Sequence, residues 1–322
     1  MDAFILTFNA ITPVFLMILL GYGMKLARLV SEDFVTVSMK LVFKVFLPIL
    51  LFQKVAHIDL ATSITLDDLW LMGYSIFALL LAAGLASLVG HYILRLGYNH
   101  RGFVQGAFIQ GAFRTNYAII SYPILLGMFG DAVVLKLALV TVISIPIFNI
   151  ISIIALTLEK SHDIKTYMAL LKNIISNPLI IGIVLGFFSA LLNLTYPPVV
   201  EAFITSAAAL ATPLALVSLG IFFRFDHFRE TLRLTLIATG IKNLLLPFVF
   251  STIAYWIGLS PMNIVIITIL VGGPTAVSSF AMSKEMDGDA VLSGNIIIMT
   301  TLVCSFTLML FLTFWVSVLG LA

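Results

Sequence analysis

Apolar runs of 18 residues or more recur from one end to the other of this 322-residue chain. A run of that length crosses the roughly 30 Å hydrocarbon core of a bilayer as a helix. In lipid every backbone polar group must find its partner within the protein, so helices are the expected elements. The alternative, one large buried helical core, fails on composition. Hydrophobic residues make up 61% of the chain and charged residues 10%. A soluble domain carries about 25% charged residues, and the difference leaves too little polar sequence to cover a surface. The expected class is an all-α polytopic membrane protein.

Ten transmembrane helices are expected, at roughly 4–24, 34–54, 70–94, 102–127, 131–157, 169–192, 199–223, 231–256, 262–285 and 290–319. No stretch remains for a soluble domain; the longest polar connectors are 55–69 and 158–168. The opening MDAFILTFNA lacks the basic region of a cleaved signal peptide and is expected to lead directly into the first span. A net charge of +2, from 17 basic and 15 acidic residues, is too balanced for nucleic-acid binding. The single cysteine, Cys304, allows no disulfide within one chain and suggests no thiolate metal site.

Basic residues set the orientation. The connectors after odd-numbered spans contain Lys25, Arg28, Arg95, Arg101, Lys160, Lys165, Arg224, Arg229, Arg233 and Lys284. Those after even-numbered spans carry acids such as Asp59, Asp67, Asp68 and Asp131, with Lys54 at the edge of one. The odd connectors are therefore expected in the cytoplasm and both termini outside the cell membrane. Trp70, Trp256 and Trp315 then fall at the outer interface, where amphipathic rings belong.

Ten spans divide into five and five, and a duplicated half with an odd number of spans must be inverted. The expected halves are residues 1–157 and 169–322, joined by a short cytoplasmic linker at 158–168. The sequence GDAV opens span 5 at 130–133 and span 10 at 288–291. In that register span 4 lies over span 9, and both carry helix breakers. Span 9 contains Gly272, Gly273 and Pro274; span 4 contains Pro123. Spans 2 and 7 each carry a proline, Pro48 and Pro213. Simple kinks explain either broken span alone, since Pro and Gly are common in membrane helices. Breaks at matched positions of two repeats point instead to a transport site. An interrupted helix exposes amides and carbonyls that protein, water or a ligand must satisfy, and its N-terminal ends attract anions.

Charge within the spans sharpens that reading. Arg114 falls near mid-membrane in span 4, beside Asn116; Lys242 is similarly deep in span 8; Lys44 precedes Pro48 in span 2. A basic group at such depth costs roughly 2.5–3.5 kcal/mol and must face protein or a water-filled cavity. Lys40 and Lys136 lie nearer span ends and can snorkel. All 15 acids are in connectors or near span ends. The missing partner of the deep cations is then a structural anion, backbone carbonyls, or an anionic substrate.

The same absence removes the usual carboxylate of a proton or sodium site. His57, His91, His100, His162 and His227 lie in or near connectors and do not replace it. Hydroxyls at Thr275, Ser278 and Ser279 permit a sodium site built with carbonyls around a break, although such groups also serve in helix packing. There is no phosphate-binding glycine loop, no HExxH and no serine elbow, so no enzyme, cofactor or metal is expected.

The segments FRTNYAIISYPILLGMFGD in span 4, FLPIL in span 2 and GGPTAVSSFAMSKEMDGD in span 9 resemble the auxin efflux carrier family, and the resemblance covers essentially the whole chain. The seven-residue spacing from Asn116 to Pro123 matches that family. The resemblance implies two inverted five-helix repeats in which spans 4 and 9 break and cross at the substrate site. The first two helices of each repeat would form a scaffold beside a moving transport domain. It further implies that Asn116 contacts a substrate carboxylate and that Pro123 marks the break. In span 9 the family's crossover proline aligns with Ser279, five residues after Pro274, which leaves that break unassigned. The family's plant members also have a long cytoplasmic loop, which the short EKSHDIKTYM does not reproduce.

The expected substrate-site residues are Arg114, Asn116, Pro123, Lys242, Gly273, Pro274, Thr275 and Ser279. The expected function is secondary transport of small organic anions, mono- or dicarboxylates such as malate or malonate. A sodium-coupled symporter of the bile-acid type and a non-transporting sensor or scaffold are the alternatives. Sodium or proton coupling and a homodimer stay open at this stage.

Overall fold

A computed structural model describes residues 2–57, 65–95, 101–158, 175–223 and 225–320. Residues 159–168 of the expected linker, with Lys160, Lys165 and His162, lie outside these, as do Asp59, His100 and Arg224. The described chain is helical. In order come α1 (Asp2–Leu26), α2 (Glu32–Leu41), α3 (Leu47–Ala56), α4 (Leu66–Arg95), α5 (Arg101–Phe113), α6 (Tyr117–Phe129) and α7 (Val134–Leu158). Then follow α8 (Pro178–Leu191), α9 (Pro198–Phe222), α10 (Phe225–Gly240), α11 (Leu246–Trp256), α12 (Pro261–Gly272), α13 (Ser278–Glu285) and α14 (Ala290–Leu319).

Some of these boundaries are not ends. Val42–Phe46 joins α2 to α3, and Ile241–Leu245 joins α10 to α11, each as a π-helical turn. Pro48 and Pro247 follow at the second position of the next helix. A proline ring clashes with the carbonyl four residues back, here that of Lys44 or Asn243. Both lie inside the π turn, whose wider backbone relieves the clash without ending the helix.

Among the described residues, six continuous stretches are long and apolar enough to cross a membrane: Asp33–Ala56, Leu66–Ile93, Leu139–Thr157, Pro198–Phe222, Phe228–Trp256 and Ala290–Leu319. Pro261–Gly272 is apolar but has only 12 residues. It is one piece of the expected ninth span, which the backbone divides at 273–277. The expected fourth span is divided at 114–116.

Helix packing sorts the fold into two groups. In one, α1 lies along α9, and α3 lies along α8 and α9. In the other, α4, α5 and α7 pack together, as do α10, α11, α12 and α14, and α5 and α6 join these sets by meeting α14 and α12. Glycine permits the closest approaches in the first group. A Cβ on Gly21 would fall 2.0 Å from the Val217 carbonyl oxygen, and one on Gly220 would fall 2.0 Å from that of Ile18. On the α8–α3 side, a Cβ on Gly182 would sit 2.4 Å from the Pro48 carbonyl oxygen. Lipid offers no hydrophobic drive to bring helices together, so such backbone contact supplies the association.

Two expected surface roles change. Lys136 does not snorkel: its ammonium donates to Asp67 at 2.7 Å and to Asp68 at 2.8 Å, tying α7 to the start of α4. Trp315, unlike the exposed Trp70 and Trp256, does not present its ring at the protein surface. It is buried, packing on Tyr255 with ring centroids 5.4 Å apart.

Candidate substrate site at the crossing of two broken helices

The breaks at 114–116 and 273–277 meet. Thr115 and Thr275 form an antiparallel bridge, and the Asn116 amide donates to the Pro274 carbonyl at 2.8 Å. Two short extended segments thus satisfy each other's backbone where each helix is interrupted. Further bonds fix the second segment. The Thr275 amide donates to Thr300 Oγ1 at 3.1 Å, and Thr275 Oγ1 donates to the Gly111 carbonyl at 2.7 Å.

The interruptions create four helix ends of two kinds. The carbonyl ends of α5 and α12 carry partial negative charge, and the amide ends of α6 and α13 carry partial positive charge. Lys242 serves the negative pair. Fully buried in its π turn, its ammonium donates to the Phe113 carbonyl at 3.2 Å, to the Val271 carbonyl at 2.7 Å, and to Thr115 Oγ1. Neighbouring Asn243 donates to the Gly272 carbonyl at 3.1 Å. Lys242 therefore finds carbonyl partners and does not line the cavity described next.

The positive ends face that cavity. A 310 Å³ space lies between the crossing, α7, α3 and α9. Arg114, Thr115, Asn116 and Tyr117 line it from the first break, and Ala276, Val277 and Ser278 from the second. Ser144 and Asn149 of α7, Thr212 of α9 and Lys54 of α3 complete its polar lining, while Leu47, Leu51 and several alanines make the rest apolar. Lys54 and Ala209 are exposed. Away from the cavity, towards the α2 end, α13 closes on the first helix group. Phe280 packs on Phe222 with centroids 5.1 Å apart, Lys284 lies 5.2 Å over the Phe222 ring, and Lys44 approaches Glu285 at 3.9 Å.

Arg114 is 4% exposed. One guanidinium nitrogen donates to Ser152 Oγ and Met282 Sδ; the other donates to Asn149 Oδ1 at 3.0 Å and Ser278 Oγ at 2.8 Å. All four acceptors are neutral. Among the described residues there are ion pairs such as Lys44–Glu285 and Lys136 with Asp67 and Asp68, and Arg114 takes part in none.

The fate of the expected site residues is mixed. Arg114 and Asn116 line the cavity; Lys242, Gly273, Pro274, Thr275 and Ser279 build the crossing behind it. Pro123 does not mark the break: the interruption is at 114–116, and α6 continues through Pro123. A proline inside a helix removes a single donor bond, and neighbouring groups in a membrane bundle can compensate. In the ninth span the break contains Pro274, whereas Ser279 lies in the first turn of α13. Asn116 occupies the cap position of α6, but its side chain makes no capping hydrogen bond. Asn149 and Ser152 around Arg114 were not anticipated, and Ser278, expected as a hydroxyl for a sodium site, instead accepts from the guanidinium. The signal was available for Asn149, an amide at mid-depth in an apolar span.

Residues 6–312 match the family described as membrane transport protein, that of the auxin efflux carriers. The chain belongs to that family. An uncharacterized transporter of Methanothermobacter thermautotrophicus (strain ATCC 29096 / DSM 1053 / JCM 10044 / NBRC 100330 / Delta H) is similar to it, with 20% identity over 297 residues, covering 91% of this chain and 93% of the relative. In this member of a membrane transport family the cavity lies between two groups of helices, beside interrupted backbone.

Proposed function

We propose that this transporter carries small organic anions, mono- or dicarboxylates such as malate or malonate, by alternating access around the crossing. The observation that carries the reading is Arg114, buried at the cavity wall with neutral partners only. Beside it the amide ends of α6 and α13 add positive potential, and the Asn116 side chain is not engaged in capping. A carboxylate of the cargo supplies the counter-charge that the described residues leave out. Charge-assisted hydrogen bonds to guanidinium are shorter and stronger than neutral ones.

We place this chemistry in a ten-span fold of two inverted repeats, residues 1–157 and 169–322. Exchange of the halves supports it: the α1–α9 contact maps onto the α8–α3 contact, and the α4–α7 contact onto that of α10 with α14. In this scheme the group containing α1, α3, α8 and α9 is the scaffold, and the crossing moves against it. The basic connectors support an orientation with both termini outside. Cysteine labelling at Ser161 and Asn193 tests the topology; 161 reacts from the cytoplasm and 193 from outside, and reaction from one side alone overturns it.

Energetics bear on direction. One charge crossing 100 mV is worth roughly 2.3 kcal/mol, so a dianion leaving a negative-inside cell alone gains about 4.6 kcal/mol. Flux in proteoliposomes, with a carboxylate panel, clamped potential, and pH and sodium varied separately, is the direct test. Carboxylate flux that follows potential is the expected result. Strict sodium dependence supports the symporter alternative, and no organic-anion flux overturns the assignment.

A further inference from the structure

Asn149 of α7 is 1% exposed and both ends of its amide are committed. Its Nδ2 donates to the Ile145 carbonyl one turn earlier at 2.8 Å. That fixes which way the amide faces and leaves Oδ1 to accept from Arg114 Nη2 at 3.0 Å. Asn149 also lines the cavity, so the guanidinium is held at the cavity wall by an oriented but uncharged group. An aspartate would fit nearly the same volume and would be the ordinary buried partner of an arginine. It would also cancel the charge that an anion must find.

We propose that Asn149 is a positioning residue that sets the charge selectivity of the cavity, aiming the Arg114 guanidinium at the cargo while leaving its charge uncompensated. Ser152 supports it from behind. That residue is fully buried, accepts from the other guanidinium nitrogen at 3.3 Å, and does not line the cavity. The four neutral acceptors around Arg114 thus act as a cradle that satisfies donors without satisfying charge. The energetic consequence is unbalanced in the empty carrier and balanced when an anion enters. This inference rests on the proposal that Arg114 receives the substrate anion.

Equilibrium binding of malonate, malate and succinate to purified full-length protein tests it, with affinities corrected for folded fraction. Asn149→Asp should weaken dicarboxylate binding on the order of 100-fold, as internal neutralisation removes a buried charge interaction. Asn149→Ser keeps a neutral acceptor at the position and should stay within about tenfold of wild type. Ser152→Asp should act like Asn149→Asp, because it neutralises Arg114 without entering the cavity. Both aspartate variants should fold at least as stably as wild type, since each gives a buried cation a carboxylate.

Equal loss in Asn149→Ser and Asn149→Asp would make the role one of shape and overturn the proposal. So would dicarboxylate binding by Asn149→Asp within threefold of wild type, or failure of both aspartate variants to fold. Wild-type protein that binds none of the three anions would instead overturn the anion reading itself, before any variant is compared.

Discussion

The two breaks meet at one bridge but differ in what they contribute. The first, 114–116, brings Arg114 and Asn116 to the cavity wall. The second, 273–277, is built of glycine, proline, threonine, alanine and valine, and its five residues are buried. One half of the molecule supplies charge and the other supplies backbone. In the proposed duplication, geometry would then be kept in both copies while recognition is concentrated in one. Substitutions should split along this line, with binding effects in the first break and folding effects in the second and its Lys242 clamp.

The largest separation is expected between Arg114→Ala and Lys242→Met. Arg114→Ala should leave folded protein yet weaken malonate binding by about 100-fold, the scale of a lost buried charge interaction. Lys242→Met should do the reverse. It leaves the Phe113 and Val271 carbonyls without their ammonium, at about 1–3 kcal/mol for each orphaned group, and should lower recovery and thermal midpoint in detergent. Normal binding by Arg114→Ala, with intact folding of Lys242→Met, would erase the distinction.

Gly273→Ala comes next. A Cβ there would lie 2.6 Å from Thr115 Cγ2 and 3.0 Å from the Ile269 carbonyl oxygen, so it should push the segments apart at a cost of roughly 1–3 kcal/mol. Adding Thr115→Ser removes the nearer methyl and keeps the hydroxyl that Lys242 uses; it should recover part of the thermal midpoint. A double variant no better than the single one would place the strain elsewhere.

Asn116→Ala should have a smaller effect, about 1 kcal/mol or fivefold in malonate affinity, without a stability change because its side chain caps nothing. A fall in melting temperature with unchanged affinity would move Asn116 from recognition to structure. The smallest effect is expected from Lys44→Gln. Its side chain is 54% exposed and the pair with Glu285 is long at 3.9 Å. Such pairs are worth about 0–1 kcal/mol, so the seal on that side should rest on Phe222 and Phe280. A large change in flux from Lys44→Gln alone would reverse that ranking.

The sequence made the broken spans legible because Gly273 and Pro274 are strong local signals, and Arg114 was conspicuous against an apolar background. It misplaced the first break. No residue at 114–116 is a backbone breaker, while Pro123 is one and yet sits inside α6. The interruption there is imposed by the crossing itself, a long-range contact that local propensity does not register. The depth of Lys242 was readable as well, but not its partners, since carbonyls orphaned by a break carry no sequence signature. Asn149 and Ser152 were missed because polar residues in apolar spans are commonly read as packing groups. Their role depends on which helix faces Arg114, and that is fixed only when α7 packs against α5.

Lys242 has a further meaning in terms of energy conversion. A free cation held by the same carbonyls and hydroxyl could leave, equilibrate with the solution on either side, and so carry the free energy of a gradient into the protein. The ammonium of Lys242 is covalently attached, so its local concentration does not depend on the bath. It holds the two carbonyl ends together as an ion would, but no metal-ion gradient can perform work by filling or emptying that position. The clamp is a tethered rivet, and the work of a metal-ion gradient has to enter this carrier at a different place in the molecule.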